Sequence, residues 1–131
     1  MLSAAGLVPL LLAAAIGPAW ADPLDAYRWR SRVLVVFAPS ADHPSVKVQR
    51  DALEARGPAV TERDLVLLPA LGEAAAPLRR RFKVEAGEFR AVLVGKDGGA
   101  KLSSARPIPA EELFGTIDAM PMRRDEMRRR P

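Results

Sequence analysis

Five consecutive apolar residues, Val33-Leu34-Val35-Val36-Phe37, constrain this chain more than any other stretch. Alternation would mark a strand with one wet face. An unbroken run marks a strand buried on both faces, in the middle of a sheet covered above and below. A short loop follows, Ala38-Pro39-Ser40-Ala41-Asp42-His43, and Pro44 then stands at the first position of a predicted helix, Pro44 to Arg56. Val48, Ala52 and Ala55, with Val46 and Leu53 beside them, make its apolar face, and Gly57-Pro58 is read as its stop. A second apolar strand is expected over Asp64 to Leu68. Two such strands around one helix form a βαβ unit with parallel strands.

Beyond Pro69 a short helix is expected from Ala75 to Phe82. A strand, Phe89 to Val94, then turns at Lys96-Asp97-Gly98-Gly99 and returns as Ala100 to Ser103, an antiparallel hairpin. Pro109 to Met120 reads as a helix with Leu113, Phe114, Ile117 and Met120 on one face and Glu111 and Glu112 in its first turn; Ile108 offers it no cap. The segment "MRRDEMRRRP" has no core-forming period and is expected to fray as a basic tail, residues 122–131. Upstream, Leu24, Tyr27 and Trp29 are expected to lie against the body.

Among 131 residues there is no cysteine and one histidine, with 20 Lys+Arg against 16 Asp+Glu and a net charge of +4. Thiol catalysis, disulfide exchange and thiolate metal sites are thereby excluded. A zinc site would need three acidic ligands around His43, so no metal and no cofactor are expected. Met1 to Ala21 carries no charged side chain, and its apolar run from about Leu7 to Ile16 ends at Gly17-Pro18 before Ala19-Trp20-Ala21. That is the pattern of a secretory signal peptide cut after Ala21, with an apolar run shorter than a bilayer span; no Lys or Arg precedes the run, so an uncleaved anchor is the alternative. The expected products are a leader, residues 1–21, and a domain, residues 22–121, in the periplasm or outside the cell, with no membrane span left after the cut. Nucleic acid is a poor partner in that compartment. An acidic protein surface, a glycan or a small anion is the expected class.

The order β-α-β-α-β-β-α, with about four strands in one mixed sheet and flanking helices, is the thioredoxin-like α/β arrangement. Three stretches, "YRWRSRVLVVFAPS" (Tyr27 to Ser40), "VLVGKDGGAKL" (Val92 to Leu102) and "ELFGTIDAMPMRRDEM" (Glu112 to Met127), resemble the peroxiredoxin-related domain-of-unknown-function family 4174. The resemblance covers essentially the chain after the leader. It implies small exported bacterial proteins with a thioredoxin-like fold, and relatives in animal extracellular matrix proteins that hint at adhesion. No catalytic residue comes with it. Matched strand to strand with thioredoxins, Asp42-His43-Pro44-Ser45 stand where a Cys-x-x-Cys would sit, and Gly87-Glu88-Phe89-Arg90 lacks the cis-proline expected before the third strand.

The candidate ligand site is therefore Asp42, His43 and Ser45 at a helix start, where backbone N–H groups and the helix dipole favour an anion, with Phe89 and Arg90 across from them. The simpler reading of Asp42 is a cap or turn residue. An enzyme of non-thiol chemistry would require Glu88 or Arg90 to converge on His43; a triad of adjacent Ser, His and Asp has poor geometry. A third reading is an adhesion module contacting polyanions through Arg79, Arg80, Arg81, Arg123, Arg124, Arg128, Arg129 and Arg130. Interspersed acids make a solvated surface the simpler account of those arginines.

Overall fold

The computed structural model describes residues 22–129. The leader Met1–Ala21 with its expected cut, and Arg130, lie outside the described residues.

Four strands form one sheet in the order β2-β1-β3-β4: β1 Arg32–Ala38, β2 Leu65–Leu71, β3 Arg90–Val94 and β4 Ala100–Ser104. β1 runs parallel to β2 and antiparallel to β3, and β3 is antiparallel to β4. Among the described residues five α-helices flank the sheet: α1 Pro44–Glu54, α2 Gly57–Glu62, α3 Ala76–Phe82, α4 Ala110–Asp118 and α5 Pro121–Arg129. Short 3-10 turns at Pro23–Ala26 and Gly72–Ala75 complete it. This is the thioredoxin-like arrangement expected from the element order.

Every residue of β1 is buried, as its unbroken apolar run requires. Its side chains divide between two cores by the period of two. Leu34, Val36 and Ala38 meet Val46 and Leu53 of α1 and Leu113, Phe114 and Ile117 of α4. Val33, Val35 and Phe37 meet Leu24, Leu78 of α3, Val84 and the opposite face of β3. The result is a helix–sheet–helix sandwich with β1 at its centre. In the hairpin turn Gly98 has φ 89, a conformation glycine adopts without a Cβ clash.

Several boundaries differ from the sequence reading, for identifiable reasons. Gly57-Pro58 does not simply stop a helix: Pro58 sits in the first turn of α2, where its missing N–H costs nothing. β2 runs through Pro69 to Leu71 because it is an edge strand, so the proline's lost donor faces no neighbour. The buried face of α1 is Val46, Gln49 and Leu53, whereas Val48 is exposed. Leu24 and Tyr27 pack on the body as expected, but Trp29 is 60% exposed. On the surface of α1, Lys47 pairs with Asp51 one turn on, at 2.7 Å.

The largest correction is at the end of the chain. The segment expected to fray forms α5, and Arg123, expected in solvent, is 1% exposed. Its Nε and Nη2 donate to Asp118 at 3.1 Å and Glu62 at 3.0 Å. Glu126, from the same helix, accepts from Arg32 Nη1 and Nη2 at 3.2 and 3.1 Å and from Lys96 Nζ at 2.8 Å. Arg32 also donates to the Arg63 carbonyl, and Lys96 to Asp64. Arg63 completes the set by gripping Asp118 at 3.0 and 2.9 Å while lying over the Phe114 ring, 4.4 Å from its centroid. A charged helix thus docks by ion pairs where an apolar stripe would ordinarily do it.

Candidate functional site

The loop from Pro39 to His43 leaves the buried centre of the sheet and delivers the chain to α1. His43 is the residue that joins the two. Its backbone is extended, φ −61 and ψ 130, and its Nδ1 accepts the Ser45 N–H at 3.1 Å, so the imidazole itself caps α1. Pro44 has no N–H, and the Val46 N–H goes to the His43 carbonyl at 2.9 Å. The first donors of the helix are therefore absent or already taken by the protein's own loop. Asp42, exposed, accepts from the Ser40 hydroxyl. In a hydrolytic triad His43 Nδ1–H would donate to the carboxylate. Here Nδ1 is an acceptor bound to Ser45, and that geometry excludes the arrangement.

The other side of the site comes from the segment before β3. Phe89 is buried and stacks on the His43 ring, centroids 5.8 Å apart and planes inclined by 22°. So the structure brings His43 and Phe89 together. Arg90 turns elsewhere, to Glu88 at 3.3 Å and to the Ser103 hydroxyl at 2.9 Å. Glu88 also accepts the Glu85 N–H at 2.8 Å. The polar groups needed for acid–base chemistry do not converge on the imidazole. The described residues contain no cis peptide bond, and no cluster of three or more His, Asp or Glu residues able to hold a metal ion.

Beside the stack lies a cavity of about 260 Å³, lined by Ala38 and Pro39 of the first loop, Ala86 to Glu88 of the second, Gly72 and Glu73 of the turn after β2, and Arg79 of α3. It opens where the parallel pair β1 and β2 ends, the edge at which α/β sheets ordinarily receive ligands. Arg79 Nη1 donates to the Gly72 carbonyl at 2.6 Å, which braces the cavity wall.

The cationic candidates scatter. Arg81 pairs with Asp22, donates to the Gly98 carbonyl at 2.7 Å and covers the Phe82 ring. Arg79 and Arg123 are tied up as described, and Arg128 pairs with Asp125. Arg80, Arg124 and Arg129 are exposed. Sequence reasoning missed Gln49, which is wholly buried and bonds both the carbonyl and the N–H of Ile108, at 2.9 and 2.8 Å, pinning the approach to α4. Its position, three residues from Val46 and four from Leu53, was the available signal.

The family described as a domain of unknown function, DUF4174, matches residues 23–126. The chain belongs to that family. No curated protein matches this DUF4174 chain. Among solved structures it is similar to a reduced 2-Cys peroxiredoxin of Plasmodium vivax, with 16% identity over 78% of this chain and 84% of the other, at a TM-score of 0.61. It is likewise similar to thioredoxin peroxidase I of Plasmodium yoelii, with 18% identity over 78% and 79% of the two chains, at a TM-score of 0.60. At such identity the likeness is one of fold. The DUF4174 chain has that fold and no cysteine with which to use a thiol site.

Proposed function

We propose that the protein is an exported binding module, redox-inactive, that works at the end of the sheet where thioredoxins keep their redox pair. The observation that carries this reading is the stack of His43 on Phe89, which joins two loops remote in sequence, each of which also contributes residues to a neighbouring cavity. A cap that is also an inter-loop contact fixes the site's shape in advance, and a preformed site loses less entropy on binding. The lining mixes the carboxylates of Glu73 and Glu88 with one guanidinium, and the helix N–H groups are spent. This favours a small hydroxyl-rich molecule, such as a glycan fragment, over a bare anion. Binding rather than catalysis is favoured by an imidazole whose Nδ1 is committed to capping α1.

The test is a thermal-shift screen of sugars, peptides, small anions and metals on the wild type and on Asp42→Ala/His43→Ala. A ligand that binds only the folded state raises the melting temperature. The expected outcome is a ligand-induced rise that shrinks in the double variant. Equal rises in both proteins sink the site, whatever the variant's own starting stability. Export rests on the leader's charge-free apolar pattern. Protein recovered from the periplasm should begin at Asp22; protein found only in the cytoplasm with Met1 retained would overturn that part.

A further inference from the structure

At the other end of the sheet a second cavity, of about 440 Å³, lies between the hairpin turn and the joint of α4 with α5. One wall is apolar, formed by Ala119, Met120, Pro121 and Met122, with Met122 exposed. The facing wall is polar, with Arg32, Lys96, Lys101 and Asp97. Its size suits a small organic ligand, and an apolar body with a few placed polar groups is the usual composition of such sites. Methionine side chains adapt to ligands of irregular outline.

The lining carries Arg32, Lys96 and Lys101 against one carboxylate, Asp97, while Glu126 and Asp64 from outside it pair with Arg32 and Lys96, so the ligand is selected by the N–H donors these cations still have to spare. That carboxylate, Asp97, is held by the Gly99 N–H at 2.9 Å and by Lys101 at 3.0 Å, which keeps it ionised below its usual range. Lys101 is itself placed by the turn, since a Cβ at Gly95 would come within 2.8 Å of its Cε. Lys96 and Arg32 share Glu126, and the Nε of Arg32 is buried with no acceptor among the described residues. Cationic groups along one wall and unspent apolar surface along the other describe the complement of one chemical class.

We propose that this cavity binds a compact amphipathic carboxylate, its acid group against Lys101 and Lys96 and its apolar body along Met120 and Met122. The site lies apart from the His43–Phe89 stack, so either can fail alone. Two sources would supply the chemistry, medium-chain fatty acids and aryl-propionic acids from aromatic amino acids. Calorimetric titration of the full chain with decanoate, 3-phenylpropionate and decanol distinguishes them, using the wild type, Ala119→Trp to fill the exposed cavity wall, and Lys101→Glu to reverse the charge. Both substitutions lie at exposed positions. The expected result is saturable binding of at least one acid, weakened about tenfold or more in each variant, with decanol about tenfold weaker than decanoate; tenfold corresponds to about 1.4 kcal/mol. The tighter acid identifies the source. No binding by either acid, or equal binding in wild type and both variants, overturns the proposal.

Discussion

His43 caps α1 through Nδ1 and stacks on Phe89, so removing its ring has two separable effects. His43→Ala should cost about 1 kcal/mol for the cap, with a further loss for the stack. His43→Asn should recover the cap and not the stack, and chemical denaturation of the two variants checks the split. Gln49 offers a cleaner case. Gln49→Leu keeps the volume but leaves the Ile108 N–H and carbonyl buried and unmet, and should cost about 2 kcal/mol or more in the same measurement. Glu126 and Asp118 set the acid response. Burial works to raise both pKa values, but hydrogen bonds and charge from Arg32 and Lys96 on Glu126, and from Arg63 and Arg123 on Asp118, prevail and hold each below its ordinary value. A carboxylate with a depressed folded pKa contributes its stability above the unfolded value, about 4, and loses it as pH falls through the folded one. The melting temperature should therefore be level near neutrality and drop below about pH 4. Glu126→Ala leaves Arg32 buried without its carboxylate, should cost about 3 kcal/mol at pH 7, and should flatten that acid slope. None of these roles is written in a residue's type. A glutamine or arginine reads as solvent-facing until its partner is known.

At the scale of elements, what could be read was what depends on neighbours in sequence. β1 announced itself by an unbroken apolar run, the hairpin by Lys96-Asp97-Gly98-Gly99, and α4 by Leu113, Phe114 and Ile117 on one face. The loop of Asp42 and His43 was placed by the same logic, and its meeting with Phe89 followed from the topology. α5 was not legible because it has almost no apolar stripe. It is held by partners at long range: Arg123 reaches Glu62, 61 residues away, and Glu126 reaches Arg32. Ending the chain after Met122 should accordingly lower the melting temperature by more than about 10 °C, since the loss of a few kcal/mol moves a domain of this size that far. A scan of the shortened protein that matches the full chain would show these pairs to be idle.

The whole molecule is a sandwich whose two cores share β1, and its surface charge is what remains after the interior has taken its share. Of the arginines that suggested a polyanion surface, Arg79, Arg81 and Arg123 hold the fold together, while Arg80, Arg124 and Arg129 face water. Reversing Arg80, Arg124 and Arg129 to Glu should make the protein leave a sulfated matrix at lower salt with an unchanged melting temperature, whereas Arg123→Ala should lower the melting temperature and leave retention nearly unchanged. The pairing of Arg32 with Glu126 joins positions 94 residues apart, the centre of the sheet and the last helix. The middle strand thus cannot settle its buried guanidinium until Glu126, 94 residues later, has been synthesised. The clamp therefore acts as a timer, leaving the centre of the sheet unfinished until the helix that bears Glu126 has been made.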